Sequence, residues 1–104
     1  MRRLIIYNHF SLLGLFSTLK VYLADSDGTV ELNGNKYKYL GSIKNNSQQA
    51  FEIDDNEHML CFAYAEVSSY APTYQTIPAG KDEVRLSGVR KFRPELGNPF
   101  VIDK

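Results

Sequence analysis

The chain has 104 residues, 12 of them basic and 12 acidic, so its formal net charge is zero and non-specific binding to polyanions is not expected. Hydrophobic residues make up 43%, which is typical of a folded domain and not of a disordered chain. The single cysteine excludes an internal disulfide framework. We expect one domain over residues 1–104, with its core at 3–86 and a C-terminal tail at 87–104.

The N-terminus imitates an export signal, because Arg2 and Arg3 precede an apolar run. Asn8 and His9 interrupt that run, and no pair of small residues marks a cleavage site after it. No stretch reaches the ~20 apolar residues that a membrane span requires. We therefore expect a cytoplasmic protein, with export through an atypical signal as the weaker alternative.

Apolar and polar residues alternate with a period of two along most of the chain, which predicts β-strands. Asn33-Gly34 is a strong hairpin signal, because both turn residues tolerate a positive φ. The longest strand is predicted at 58–67, and its apolar residues on both faces indicate a central position. The predicted strands lie at 4–7, 19–23, 30–32, 37–39, 40–43, 50–53, 58–67, 74–77, 83–86 and 100–102.

Helix signals are almost absent. Residues 9–18 repeat large apolar side chains every three positions, but Gly14 and the flanking strands disfavour a helical turn there. The predicted fold class is all-β: an immunoglobulin-like antiparallel β-sandwich of seven to nine short strands, with an extra hairpin at 25–39 and an ordered C-terminal tail. Its predicted core consists of Leu19, Val21, Leu23, Ile43, Phe51, Ile53, Leu60, Phe62, Val84 and Leu86.

No catalytic or metal-binding pattern emerges. His58 and Cys61 suggest a base and a nucleophile, but three residues apart on a strand they point to opposite faces. The segment 25–30 resembles half of a calcium loop, yet non-ligand residues occupy the first and last positions that the loop needs, so a hairpin turn is the better interpretation. We expect no enzymatic activity, no cofactor and no metal.

Two clusters mix basic and aromatic residues and are candidate binding surfaces. One interpretation is a protein-interaction surface, for which the candidates are Lys36, Tyr37, Lys38, Tyr39, Tyr70 and Tyr74. The alternative is a small barrel that binds single-stranded nucleic acid, with bases stacking on rings and Lys or Arg contacting phosphates. That surface would consist of Lys36, Tyr37, Lys38, Tyr39, Arg90 and Arg93.

Four segments together resemble the small PEGA-like, immunoglobulin-like β-sandwiches of bacterial proteins. They are Lys20-Val21-Tyr22-Leu23, Leu40-Gly41-Ser42-Ile43-Lys44-Asn45, Phe51-Glu52-Ile53 and Glu57-His58-Met59-Leu60. The resemblance covers about residues 3–86 and departs from the family at Asn46, where glycine is usual, and in the longer 25–39 hairpin. It implies a sandwich fold and a non-catalytic module.

Self-association is the last expectation from the sequence. The 25–39 hairpin carries Tyr37 and Tyr39, which suit interfaces, and the acidic run 52–57 offers a complementary surface on a second copy. A two-fold dimer would be the simplest arrangement. The equally weighted alternative is that the hairpin packs on its own domain.

Overall fold

The structure is a computed structural model, and it describes residues 1–12, 18–32, 34–64, 72–91 and 100–103. Nine strands form within these residues, and none of the residues belongs to a helix long and apolar enough to cross a membrane. The all-β prediction is confirmed. The strands are β1 (Arg2–Asn8), β2 (Thr18–Ala24), β3 (Val30–Leu32), β4 (Asn35–Lys44), β5 (Ser47–Ile53), β6 (His58–Tyr64), β7 (Thr73–Ile77), β8 (Val84–Arg90) and β9 (Phe100–Ile102).

The strands form two sheets that pack face to face, which confirms the predicted β-sandwich. One sheet has the order β5-β1-β8-β9 and the other the order β3-β4-β2-β6-β7. Among the described strand pairs, β1 and β8 run parallel and the others are antiparallel. The sequence predicted a fully antiparallel sandwich, so this pair corrects the prediction. The long stretch of chain between β1 and β8 makes this possible, because parallel neighbours cannot be joined by a tight turn.

The core lies between the sheets and follows the period-two alternation. The predicted core residues that are buried in the structure are Leu19, Val21, Ile43, Ile53, Leu60 and Phe62. Leu23, Phe51, Val84 and Leu86 pack against this cluster while partly exposed. The core also contains residues that the prediction left out, namely Leu4, Ile6, Tyr64, Ile77 and Phe100. The Phe62 and Phe100 rings lie 5.1 Å apart, so the C-terminal strand β9 contributes to the same core.

Several predicted boundaries need correction. The strands predicted at 37–39 and 40–43 form one strand, β4. With 10 residues it is the longest described strand, whereas the sequence predicted that the strand at 58–67 would be the longest. Its register against β2 shifts between Val21 and Tyr22, so a bulge accommodates the change without ending the strand. β8 continues to Arg90, so residues 87–90, assigned to the tail, belong to a sheet.

Other predictions are confirmed or concern residues that the structure does not describe. β6 is interior, between β2 and β7, and buries Leu60 and Cys61 on opposite faces, as a central strand should. Residues 65–67, residues 13–17 of the disfavoured helical turn at 9–18, and Asn33 lie outside the described residues. The next turn residue, Gly34, has the positive φ (83°) that the hairpin prediction requires.

Arg2 joins two loops at one end of the sandwich. Its side chain is buried and donates hydrogen bonds to the carbonyl oxygens of Asp54 (3.2 Å), Asn56 (3.0 Å) and Pro78 (2.8 Å). The guanidinium group suits this position, because its fixed fork of donors can satisfy several acceptors at once. The loops after β5 and β7 are thereby attached to the start of β1.

Candidate functional site

Six side chains cluster on the outer face of the five-stranded sheet. We call this group the tyrosine face; its members are Tyr22, Tyr37, Tyr39, Met59, Cys61 and Tyr74. Side chains alternate between the faces of a strand, and the sequence neighbours Val21, Leu60 and Phe62 are buried in the core. The tyrosine face therefore points away from the core.

Strand register assembles this face from distant parts of the sequence. Tyr39 on β4 lies opposite Tyr22 on β2, which lies opposite Cys61 on β6, which lies opposite Tyr74 on β7. Neighbouring strands are about 4.8 Å apart, so these side chains form a row across four strands. The rings of Tyr22 and Tyr39 are 5.5 Å apart and inclined at 52°, a favourable tilted arrangement.

Tyr37 forms the buried base of the face. Its register partner on β2 is Ala24, which has a small side chain. The side chain of Tyr37 lies close to that of Tyr74, and only 3% of Tyr37 is exposed. Burial, and then the neighbouring Cys61 and Tyr74, raise the pKa of Tyr37 above its ordinary value of 10.0. Tyr37 therefore packs beneath the neighbouring side chains of the face and is too buried to contact a ligand.

The accessible part of the face consists of Tyr39, Met59 and Tyr74. They are 45%, 39% and 42% exposed, which is high for large hydrophobic side chains on a sheet. The Lys20 ammonium lies 5.8 Å from the centre of the Tyr39 ring, within the range of a cation–π contact. These side chains can offer rings, a flexible thioether and a nearby positive charge to a partner.

An open hollow adjoins Met59 and Tyr74. The turn after β2 and the start of β4 form its walls, and Asp25 and Lys36 place charges of opposite sign beside it. The remaining lining residues are Ala24, Ser26, Gly34, Asn35 and Tyr37. The Asp25 carboxylate accepts a hydrogen bond from the amide of Asp27 (2.9 Å), so this segment is a turn that its own carboxylate supports. It is not the hairpin turn that the sequence predicted, because β4 lies between the strands β2 and β3 that it joins.

The structure separates the two residues that suggested nucleophilic catalysis. Cys61 belongs to the tyrosine face, where burial raises the pKa of its thiol from 9.0 to about 11. His58 lines a hollow at the opposite side of β6, and its Nε2 lies 2.7 Å from Oδ1 of Asp54. The pKa of Asp54 is lowered, first by the hydrogen bond from the amide of Asn56 and then by His58. A thiol with a raised pKa is a poor nucleophile.

The predicted surface residues do not all share this face. Tyr37, Tyr39 and Tyr74 are brought together, and Lys36 lies beside them. Lys38, one residue from Tyr37, lines the same hollow as His58 and Glu52.

The remaining candidates lie elsewhere. Arg90 is buried, with its guanidinium 4.2 Å from the centre of the Tyr64 ring. Tyr70 and Arg93 lie outside the described residues.

Tyr22, Met59 and Cys61 are members of the face that sequence reasoning missed. The alternation Lys20, Tyr22 and Ala24 against buried Leu19, Val21 and Leu23 indicates that Tyr22 points outward. The same reasoning applies to Met59 and Cys61 on β6. What the sequence could not supply was the register that makes these residues neighbours.

No protein-family model matches the chain, and no curated protein is significantly similar to it. The resemblance to PEGA-like sandwiches therefore stays a prediction. Within the described ranges, no group of three or more His, Cys, Asp or Glu residues could hold a metal ion.

Proposed function

We propose that the protein is a non-catalytic interaction module that binds an extended peptide segment of a partner protein through its tyrosine face. The observation that carries the proposal is the exposure of Tyr39, Met59 and Tyr74 together on one sheet face. Tyrosine and methionine are enriched in protein interfaces, where they bury large areas at low entropic cost. Such a group of exposed large hydrophobic residues marks a contact surface.

The face is pre-organised for binding. Its strands β4, β2 and β6 are each paired on both sides, and the buried Tyr37 side chain lies beside the exposed ring of Tyr74. Rigid rings lose little freedom on binding, which leaves more of the contact energy for affinity. Met59 supplies an adaptable side chain beside them.

A peptide suits this surface better than a nucleic acid. The hollow beside the face carries Asp25 as well as Lys36, and a carboxylate repels phosphates. Arg90, which the nucleic-acid alternative requires, is stacked on Tyr64, and Lys38 lines the hollow that also contains Glu52. A peptide matches this mixed lining, because its backbone offers hydrogen-bond donors and acceptors and its side chains can carry charges of either sign.

The sandwich architecture is compatible with the module class that the PEGA-like resemblance implies. Two packed sheets expose one broad face each, and rigid strands hold side chains there more precisely than loops do. The raised pKa of Cys61 and its separation from His58 also favour a non-catalytic function. The immunoglobulin-like assignment and the protein partner are parts of this proposal.

Panning a phage-displayed library of random dodecapeptides against the immobilised protein tests the proposal. We expect enriched peptides that bind the purified protein with micromolar dissociation constants in calorimetry. The double variant Tyr39→Ser/Met59→Thr should weaken that binding at least about tenfold, which corresponds to about 1.4 kcal/mol. Both positions are exposed, so the fold should be retained, as circular dichroism would verify.

The matched control is Tyr7→Ser, which removes a tyrosine from the other sheet and should leave peptide affinity unchanged. Failure to enrich a peptide, or peptides equally sensitive to both variants, would contradict the proposal. A labelled dT12 oligonucleotide is titrated in parallel at low and moderate salt. Micromolar binding that weakens steeply with salt would favour the nucleic-acid alternative instead.

A further inference from the structure

The sheet edges differ in how well they are protected against pairing with another chain. In the described part of the molecule the sheets end in β3, β7, β5 and β9. β3 and β9 have 3 residues each, and β7 has 5 residues and lies between Pro72 and Pro78. Short strands, prolines and lysines are the usual means of blocking an edge. β5 has 7 residues and contains neither proline nor lysine.

β5 is also accessible along much of its length. Gln48, Gln49, Ala50 and Glu52 are exposed, and among the described strands β5 pairs only with β1. Phe51 anchors the strand from the inner side, where its ring fills the space beside Gly41. The backbone groups on the outer edge of β5 are therefore held in extended geometry, ready to accept another strand.

We propose that two copies of the chain pair β5 with β5, antiparallel, about a two-fold axis at Ala50. The two four-stranded sheets would then become one continuous sheet across the dimer. In this register Gln48 of each copy faces Glu52 of the other, and Gln49 faces Phe51. Ala50 meets its own counterpart on the axis, where its small side chain does not obstruct the approach.

The chemistry of the strand favours a second copy as the partner. Glu52 is the one charged residue of β5, and the two-fold register places it opposite an amide that can donate to it, twice per dimer. No like charges face each other within the paired strands. Arg3 is the register partner of Glu52 on β1, but its guanidinium lies 3.7 Å from the carboxylate of Glu83.

This contact differs from the one that the sequence suggested, in which the hairpin tyrosines meet the acidic run of a second copy. Tyr37 is buried within its own sheet, so the hairpin packs on its own domain. The β5 contact uses the sheet that does not carry the tyrosine face. Peptide binding and dimerisation are consequently separate and can be tested independently.

Sedimentation equilibrium of the intact chain over low to high micromolar concentrations tests the proposal. We expect the mass to rise from the single-chain 11.8 kDa towards twice that value. Gln48→Glu places two carboxylates opposite each other at both symmetric contacts, and should weaken dimerisation about tenfold. Gln48→Glu/Glu52→Gln exchanges the partners and should restore it.

Thr29→Glu is the matched control, because it adds the same charge at an exposed position before β3 and should not change dimerisation. A monomer mass at all concentrations would overturn the proposal. So would a dimer that Gln48→Glu leaves intact, or one that the double variant fails to restore, because either result would place the contact elsewhere.

Discussion

Replacing Phe100 with alanine tests whether the C-terminal strand belongs to the core. Among the described residues, Phe62 and Phe100 are the largest fully buried side chains, and Phe100 fills the space over Gly88. Truncating a buried phenylalanine costs about 3–5 kcal/mol. A domain of this size has an unfolding free energy of about 5–15 kcal/mol, so Phe100→Ala and Phe62→Ala should each remove a large share of it. Phe10→Ala, at an exposed ring, should cost less than about 0.5 kcal/mol.

Urea unfolding followed by tyrosine fluorescence and circular dichroism measures these losses. The milder pair Phe62→Leu and Phe100→Leu keeps the protein folded for a double-mutant cycle. Because the rings are 5.1 Å apart, the cycle should give a coupling of about 0.5–1.5 kcal/mol. A loss below about 1 kcal/mol for Phe100→Ala, or no coupling, would refute the packing of β9 described here.

Three further predictions concern single residues. Asn46 has a φ of 57°, so Asn46→Ala should cost about 1–2 kcal/mol in urea unfolding while Asn46→Gly should cost little or nothing. Arg2→Lys cannot satisfy the same three carbonyl groups, and should lower the unfolding free energy by about 1.5–3 kcal/mol, measured in the same way. Burial raises the folded-state pKa of the Cys61 thiol from 9.0 to about 11, so between these pH values the unfolded state loses the proton while the folded state keeps it. The stabilisation that this thiol gives the folded state is therefore complete below about pH 9 and is lost as the pH rises to 11. Stability should consequently fall more steeply across that range in the wild type than in Cys61→Ala, and an equal fall in both would contradict this.

Much of the fold could be predicted because period-two alternation and turn chemistry are local. Leu19, Val21 and Leu23 mark one face of β2 from the sequence alone. The parallel pairing of β1 with β8 could not be predicted in this way, because nothing near either strand specifies a partner about 80 residues away. The extension of β8 to Arg90 was missed because Ser87 and Gly88 suggest a loop, whereas Gly88 is required where the Phe100 ring packs against the strand.

The candidate site was predicted only in part for the same reason. Tyr37 and Tyr39 were found as neighbours in sequence, but their contacts are with Tyr22 and Tyr74, which register brings from other strands. The basic residues were grouped by proximity in sequence, although alternation places Lys38 on the face opposite Tyr37. Burial of Arg90 against Tyr64 depends on tertiary packing and carries no local signal.

The most direct test of the tyrosine face is the methyl spectrum of the protein labelled with ¹³C at its methionine methyl groups. The chain has two methionines, Met59 on the face and Met1 beside the hollow that contains His58. During titration with a peptide obtained by panning, we expect the Met59 signal to shift to saturation while the Met1 signal stays in place. Movement of Met1 alone, or of neither signal while calorimetry shows binding, would contradict peptide binding at the tyrosine face.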